Sequence, residues 1–162
     1  MTTPQLITAY IALGSNLGDR ERNLRDALRA LGANADTRVI RVSRLLKNPA
    51  VGGPADSPAF LNAVAEAATT LKARALLTRL LDIERGLGRT RRAKWEPRLI
   101  DLDLLLYGDA VISRASRDGD LFVPHPLMHV RRFVLEPLAE LAPDLVHPTL
   151  HLPIRELLRR LP

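Results

Sequence analysis

Between residues 6 and 107 the hydrophobic repeat of this chain switches between periods of two and about 3.6 residues, and few folds accept the order that results. Leu6 to Leu13 (LITAYIAL) reads as a strand that stops at Gly14-Ser15-Asn16. After it, DRERNLRDALRALGA sets Leu24, Ala27, Leu28 and Leu31 at helical spacing. TRVIRVSRLL, residues 37–46, alternates as a half-exposed strand. AFLNAVAEAAT, residues 59–69, reads as another, although alanine is a poor strand former. KARALLTRLLDIERGLG carries Leu76, Leu77, Leu80 and Ile83 on one helical stripe. Last comes PRLIDLDLLLYGD, with Ile100, Leu102, Leu104 and Leu106 at every second position, as in a strand filling a buried face.

Strand-helix-strand-strand-helix-strand is the split β-α-β order of an α+β ferredoxin-like βαββαβ sandwich, whose helices cover one face of a largely antiparallel sheet. The opposite face is then left for further elements or a ligand. Residues 110–162 are expected to add short C-terminal strands, a helix near Met128 to Leu141 and a closing helical turn. No repeat, low-complexity tract or linker breaks the 162 residues, so a single domain over 1–162 is expected. Two loops punctuate this frame. Asn48 to Pro58 (NPAVGGPADSP) is rich in turn formers, and RTRRAKWEPR, residues 89–98, is dense in arginine.

Asp101 and Asp103 disturb the last strand. Side chains alternate across a strand, so the two carboxylates share a face, roughly 6.6 Å apart along the chain. Like charges so placed repel unless something cationic sits between them. Either β-edge acids stand in water, or they hold a metal; Mg²⁺ is commonly bound by one or two carboxylates together with substrate phosphates. Just before them lie Arg89, Arg91, Arg92, Lys94, Trp95 and Arg98. A phosphate-bearing ligand would satisfy both groups, and phosphoryl transfer needs little more than positioning and charge neutralisation. No G-x-x-x-x-G-K-[ST] occurs, which excludes a P-loop. ALGSNLGD offers either an anion site at a helix N-terminus or an ordinary strand-to-helix turn with Asp19 in the first helical turn.

A net charge of +6 and a pI near 10.7 favour phosphate-bearing partners, although arginine and alanine abundance also follows from GC-rich coding. Without cysteine, disulfides and thiolate zinc sites are excluded. MTTPQLITAYIALGSN has no basic leader, and its apolar run is too short for a bilayer, so a soluble cytoplasmic protein without membrane contact is expected.

AYIALGSNLGDR, FLNAV, IERGLGRTR, KWEPRLIDLDLLLYGD and VPHPLMHVRRFVLEPLAELAP, in this order and spacing, resemble the 6-hydroxymethyl-7,8-dihydropterin pyrophosphokinases of folate biosynthesis. The most specific part is Trp95-x-Pro-Arg-x-x-Asp-x-Asp. The resemblance implies a ferredoxin-like monomer that uses ATP and two Mg²⁺ ions to move the β,γ-pyrophosphoryl group onto the pterin hydroxymethyl oxygen, releasing AMP. It implies Asp101 and Asp103 as metal ligands and, with Arg89 and Arg98, as catalytic residues. Arg89, Arg92, Arg98, His125 and Arg131 match ATP-contacting positions. Phe60 and Phe133 resemble the aromatic pair that sandwiches the pterin, and Asn62 the amide on its polar edge. Asn48, Pro49 and Val51 match the first pterin loop, and Trp95 the second. The chain departs from the family at four places: Glu96 replaces a glycine, Leu81 a polar nucleotide contact, Pro126 a tyrosine and Asp120 an arginine.

Two other classes fit a basic ferredoxin-like domain. An RNA-recognition module displays aromatic residues on its central strands for base stacking, whereas IDLDLLL offers two aspartates, which argues against nucleic acid as a partner. A non-catalytic pterin- or nucleotide-binding protein would have no need of Asp101, Asp103, Arg89 and Arg98 together. No strong general base for the substrate hydroxyl is evident in the sequence.

Overall fold

A computed structural model describes residues 4–48, 59–88 and 99–162. The order is β1 (Ile7–Ser15), α1 (Arg20–Leu31), β2 (Thr37–Val42), β3 (Leu46–Asn48), β4 (Phe60–Thr69), α2 (Ala73–Gly86) and β5 (Asp101–Tyr107). Two short strands, β6 (Ile112–Arg114) and β7 (Leu121–Val123), follow, then α3 (Arg132–Leu141) and α4 (Ile154–Arg159). The main sheet runs β2-β4-β1-β5, with β3 also on β4, and every pair is antiparallel. That is the ferredoxin-like arrangement the sequence predicts.

Three expectations are corrected in detail. Residues 37–46 do not form one strand: Ser43 divides β2 from β3. Val64 N–H donates to the Ser43 hydroxyl at 2.9 Å while Ser43 N–H donates to the Val64 carbonyl at 2.9 Å, so a side chain stands in the ladder where a carbonyl would. The helix expected from Met128 is a 3-10 turn, Met128–Val130, then extended Arg131, then α3. Leu106 does not share a face with Leu102 and Leu104. The β1–β5 register shifts between Tyr10 and Ile11, so that Ile11 faces Leu104 and Tyr10 faces Leu106. Leu105 is the extra residue of a bulge, and Leu105 and Leu106 both turn to the second core.

The sheet therefore separates two cores. On one face Ala9, Ile11, Leu13, Leu102 and Leu104 meet Leu24, Ala27 and Leu31 of α1 and Leu76, Leu80 and Ile83 of α2. Ala63, Ala65 and Ala67 of central strand β4 point the same way, and their small size lets both helices approach the sheet. Burial on that face outweighs the poor strand propensity of alanine. On the other face Tyr10, Val64, Leu105 and Leu106 meet Val134, Leu135 and Leu138 of α3 and Ile154 and Leu157 of α4. Asp19 caps α1 by accepting from Arg22 N–H at 3.1 Å, and Asn23 closes the turn before it on Ser15 Oγ and the Leu17 carbonyl. The GSN turn is thus an ordinary strand-to-helix connection.

Candidate active site

The second core fills only one end of its sheet face. At the other end, cross-strand register lines up Asp101, Gly14, Asn62 and Leu46 in one row, with Asp103, Ala12 and Val64 in the next. Asn48 stands opposite Phe60 beside the first row. Alternation therefore brings Asp101, Asp103, Phe60, Asn62 and Asn48 onto one surface, as the sequence suggests. Both aspartates are half-buried on β5, the sheet's edge strand. Arg89, Arg92, Trp95, Arg98, Pro49, Val51 and Glu96 lie outside the described residues.

Gly14 is the bare centre of the row. A Cβ there would come within 2.9 Å of Asn62 Nδ2 and 3.5 Å of the Phe60 ring, so only glycine leaves the floor open. Asn62 is 8% exposed, and its Oδ1 accepts from Asn48 Nδ2 at 3.0 Å. Its carbonyl oxygen is thereby engaged by the protein, and the amide nitrogen is the group turned over Gly14.

His125 is anchored to the sheet edge, its N–H donating to the Leu105 carbonyl at 2.9 Å. Its Nδ1 accepts from Leu127 N–H at 3.1 Å, which leaves the proton of the neutral ring on Nε2. Burial pulls the imidazole pKa below its usual value; the Asp103 charge opposes this and the Arg131 guanidinium adds to it. His125 is thus a neutral donor near neutral pH. The Arg131 guanidinium lies 5.6 Å from the centre of the Phe133 ring, pairing the last residue before α3 with one in its first turn.

A cleft of about 220 Å³ adjoins Asp103. Leu77 and Leu81 of α2, Leu102 and Leu104 of β5, Leu121 and Phe122 of β7 and Pro126 give it apolar walls, with Glu84, Asp103, Asp120 and His125 as polar groups. Three of the four departures noted in the sequence, Leu81, Asp120 and Pro126, line this one cleft. Asp120 is partly occupied in its own loop, accepting from Ser116 N–H at 3.1 Å. Glu84 went unnoticed in the sequence. It is 3% exposed and accepts the Leu102 N–H at 2.9 Å, between the two aspartates. A carboxylate four residues after Leu80 on an otherwise apolar stripe was the available signal.

Among the described residues no three His, Cys, Asp or Glu side chains gather as a metal cage. The donor set is two hard oxygens on one face, which suits Mg²⁺ completed by phosphates and water rather than zinc or copper.

Fold and candidate site together define a ferredoxin-like α+β sandwich whose paired aspartates and Asn62 stand on the part of the sheet that its helices leave open. The chain belongs to the family of 7,8-dihydro-6-hydroxymethylpterin-pyrophosphokinases (HPPK), whose profile matches residues 10–143. It is 43% identical over 143 residues to the 2-amino-4-hydroxy-6-hydroxymethyldihydropteridine pyrophosphokinase of Haemophilus influenzae, covering 88% of this chain and 86% of that one. The enzyme of the same name from Bacillus subtilis is 46% identical over 133 residues, 82% of this chain and 77% of its own. The wild-type Plasmodium falciparum HPPK-DHPS crystallised with pteroate superposes with a TM-score of 0.78 at 13% identity, over 98% of this chain. This chain spans 45% of that longer protein, and the likeness is one of fold.

Proposed function

We propose that the open sheet face binds ATP and 6-hydroxymethyl-7,8-dihydropterin side by side, with Asp101 and Asp103 between them. The chain is a pterin pyrophosphokinase of folate biosynthesis: it transfers pyrophosphate from ATP to the pterin hydroxymethyl group, giving the pterin diphosphate and AMP. The observation that carries the site reading is the single row Asp101-Gly14-Asn62, which sets a carboxylate, a bare floor and an amide within one flat ligand's reach.

The apolar cleft between α2 and β7 takes the adenine, because its walls are leucine, phenylalanine and proline and it opens onto Asp103 and His125. The phosphates then lie over the two aspartates. Asp101 and Asp103 would hold two Mg²⁺ ions there, and the bound metal would supply neutralisation of the charge spread over the phosphoryl oxygens. His125 donates through Nε2–H and Arg131 supplies positive charge, with Arg89, Arg92 and Arg98 as the loop's contribution. The pterin stacks between Phe60 and Phe133, over Gly14, its polar edge at Asn62 and Asn48, with Pro49, Val51 and Trp95 closing over it.

So held, the hydroxymethyl oxygen attacks the β-phosphorus in line with the oxygen bridging to the α-phosphorus. That bridging P–O bond breaks, AMP leaves with its oxygen, and the hydroxyl proton is released. Positioning replaces covalent catalysis, since holding two reactants in register removes much of the entropic barrier. Among the described residues no helix is long and apolar enough to cross a membrane. We place the chain as a single-domain cytoplasmic monomer with small-molecule substrates. The test is AMP formation, which must require both the pterin and Mg²⁺; AMP released without pterin would contradict this reading.

A further inference from the structure

Glu84 is the one carboxylate among the buried residues of α2, a turn past Leu80 and 3% exposed. Withdrawing an ionised side chain from water is costly unless hydrogen bonds offset it, and a leucine there would simply extend the apolar stripe. The helix–sheet core gives no reason for a carboxylate at this position. The reason lies on β5, which ends the sheet order and pairs with β1 on one side only. Along such an edge every second N–H has no sheet partner. The Leu102 N–H is one of these, and Glu84 Oε2 accepts it at 2.9 Å. Farther along the same edge the His125 N–H donates to the Leu105 carbonyl at 2.9 Å, so the free edge is closed on either side of Asp103.

We propose that Glu84 is a positioning residue for the metal site: by holding the Leu102 N–H it fixes the peptide that joins Asp101 to Leu102, and with it the spacing at which Asp101 and Asp103 present their carboxylates. The inference rests on the metal reading above. Without a cation between them the two carboxylates repel, and an edge strand has no second neighbour to resist that push. Glu84 supplies the missing neighbour. α2 is seated on the sheet by Leu76, Leu80 and Ile83, so the carboxylate comes from a rigid element, and a hydrogen bond to a charged acceptor is about twice as strong as a neutral one. Glu84 also lines the cleft beside Asp103. Among the described residues no three such side chains gather as a metal cage, so it acts through the backbone rather than as a third ligand. Groups that orient metal ligands in this way typically contribute about 10–100-fold to metal affinity.

The test is calorimetric titration of a non-hydrolysable ATP analogue into the protein, with and without Mg²⁺, well below every melting temperature. The readout is the factor by which Mg²⁺ tightens the Kd, beside NMR hydrogen exchange of the Leu102 amide in the metal-free protein. Glu84→Ala is expected to cut that factor by about tenfold or more and to open the Leu102 amide to exchange. Glu84→Gln keeps an acceptor at the same reach without the charge. It is expected to hold the factor within about threefold of wild type and to keep the amide protected. Leu80→Ala, on the same buried stripe, is the control: it lowers the melting temperature and leaves the factor unchanged.

A factor that survives Glu84→Ala would overturn the proposal, as would one that falls in Leu80→Ala in step with its melting temperature. Equal losses in Glu84→Gln and Glu84→Ala would also overturn it, because the buried charge and not the hydrogen bond would then be acting. Should Glu84→Ala not fold, Glu84→Gln decides: a protected amide with the factor kept upholds the positioning role, and a protected amide with the factor lost contradicts it. If Mg²⁺ did not tighten binding in wild type, the metal reading itself would fall, an outcome separate from any difference between variants.

Discussion

At the scale of single residues, the chemistry depends on what short-period alternation puts on one face and on what is missing there. Asp101 and Asp103 share a face because they are two apart on β5. Replacing either with alanine is expected to lower turnover by several kcal/mol of transition-state stabilisation, on the order of a thousandfold. The melting temperature should hold, since both side chains are only half-buried on the open face. Steady-state kinetics beside thermal melting checks this; a protein that melts early yet turns over normally would make the aspartates structural. Gly14→Ala tests the missing side chain. Its methyl would displace the Asn62 amide and narrow the floor, so the pterin KM should rise about tenfold or more while ATP affinity stays put. The aspartates were legible in the sequence because strand alternation is local. Gly14 was visible only as part of a turn, since its neighbour across the sheet, Asn62, is 48 residues on.

At the scale of elements, α4 is held against α3 by a short knot around His147. This side chain is 3% exposed, and its Nδ1 accepts from Thr149 N–H at 3.2 Å and Leu150 N–H at 3.1 Å. Its own N–H donates to the Leu152 carbonyl, and the His151 N–H donates back to the His147 carbonyl. Burial, then the nearby His129 and His151, push the His147 pKa below the ordinary histidine value, and burial does the same to His125. For a base whose folded pKa is lowered, the unfolded chain binds more protons between the two values. Stability is therefore full above the unfolded pKa near 6.5 and falls as pH drops below it. The melting temperature should decline from pH 7 to pH 5, and His147→Gln, which keeps an acceptor without a titrating ring, should flatten that decline. A slope unchanged by the substitution would place the titration elsewhere. None of this was legible in HPTLHL, because neither burial nor the partners of Nδ1 can be read from residues that show no periodicity.

At the scale of the molecule, one sheet serves two cores, and the site exists because the second is shorter than the sheet it covers. Leu76 lies in the first core and Leu135 in the second, both fully buried. Leu76→Ala and Leu135→Ala should each cost about 2–5 kcal/mol. Because the strands between them are shared, unfolding followed by circular dichroism and by intrinsic fluorescence should remain a single coincident transition in both variants. Separate transitions would mean that α3 and α4 form a unit of their own.

What the sequence determined by itself is what local period and residue chemistry can carry. That covers the strand-helix order of the ferredoxin-like frame, the common face of Asp101 and Asp103, the motif shared with the pyrophosphokinases and the absence of thiol chemistry. Tertiary structure alone decided which of these residues meet. The Leu105 bulge sends Leu106 to the second core, Ser43 splits a predicted strand in two, and Leu81, Asp120 and Pro126, scattered over 46 positions, converge on one cleft. The reason is physical: periodicity reports which side of an element is buried, whereas register, bulges and cross-strand partners depend on contacts between residues far apart in the chain. The Asn48–Asn62 bond, which joins the strands before and after the first loop, belongs wholly to that second kind.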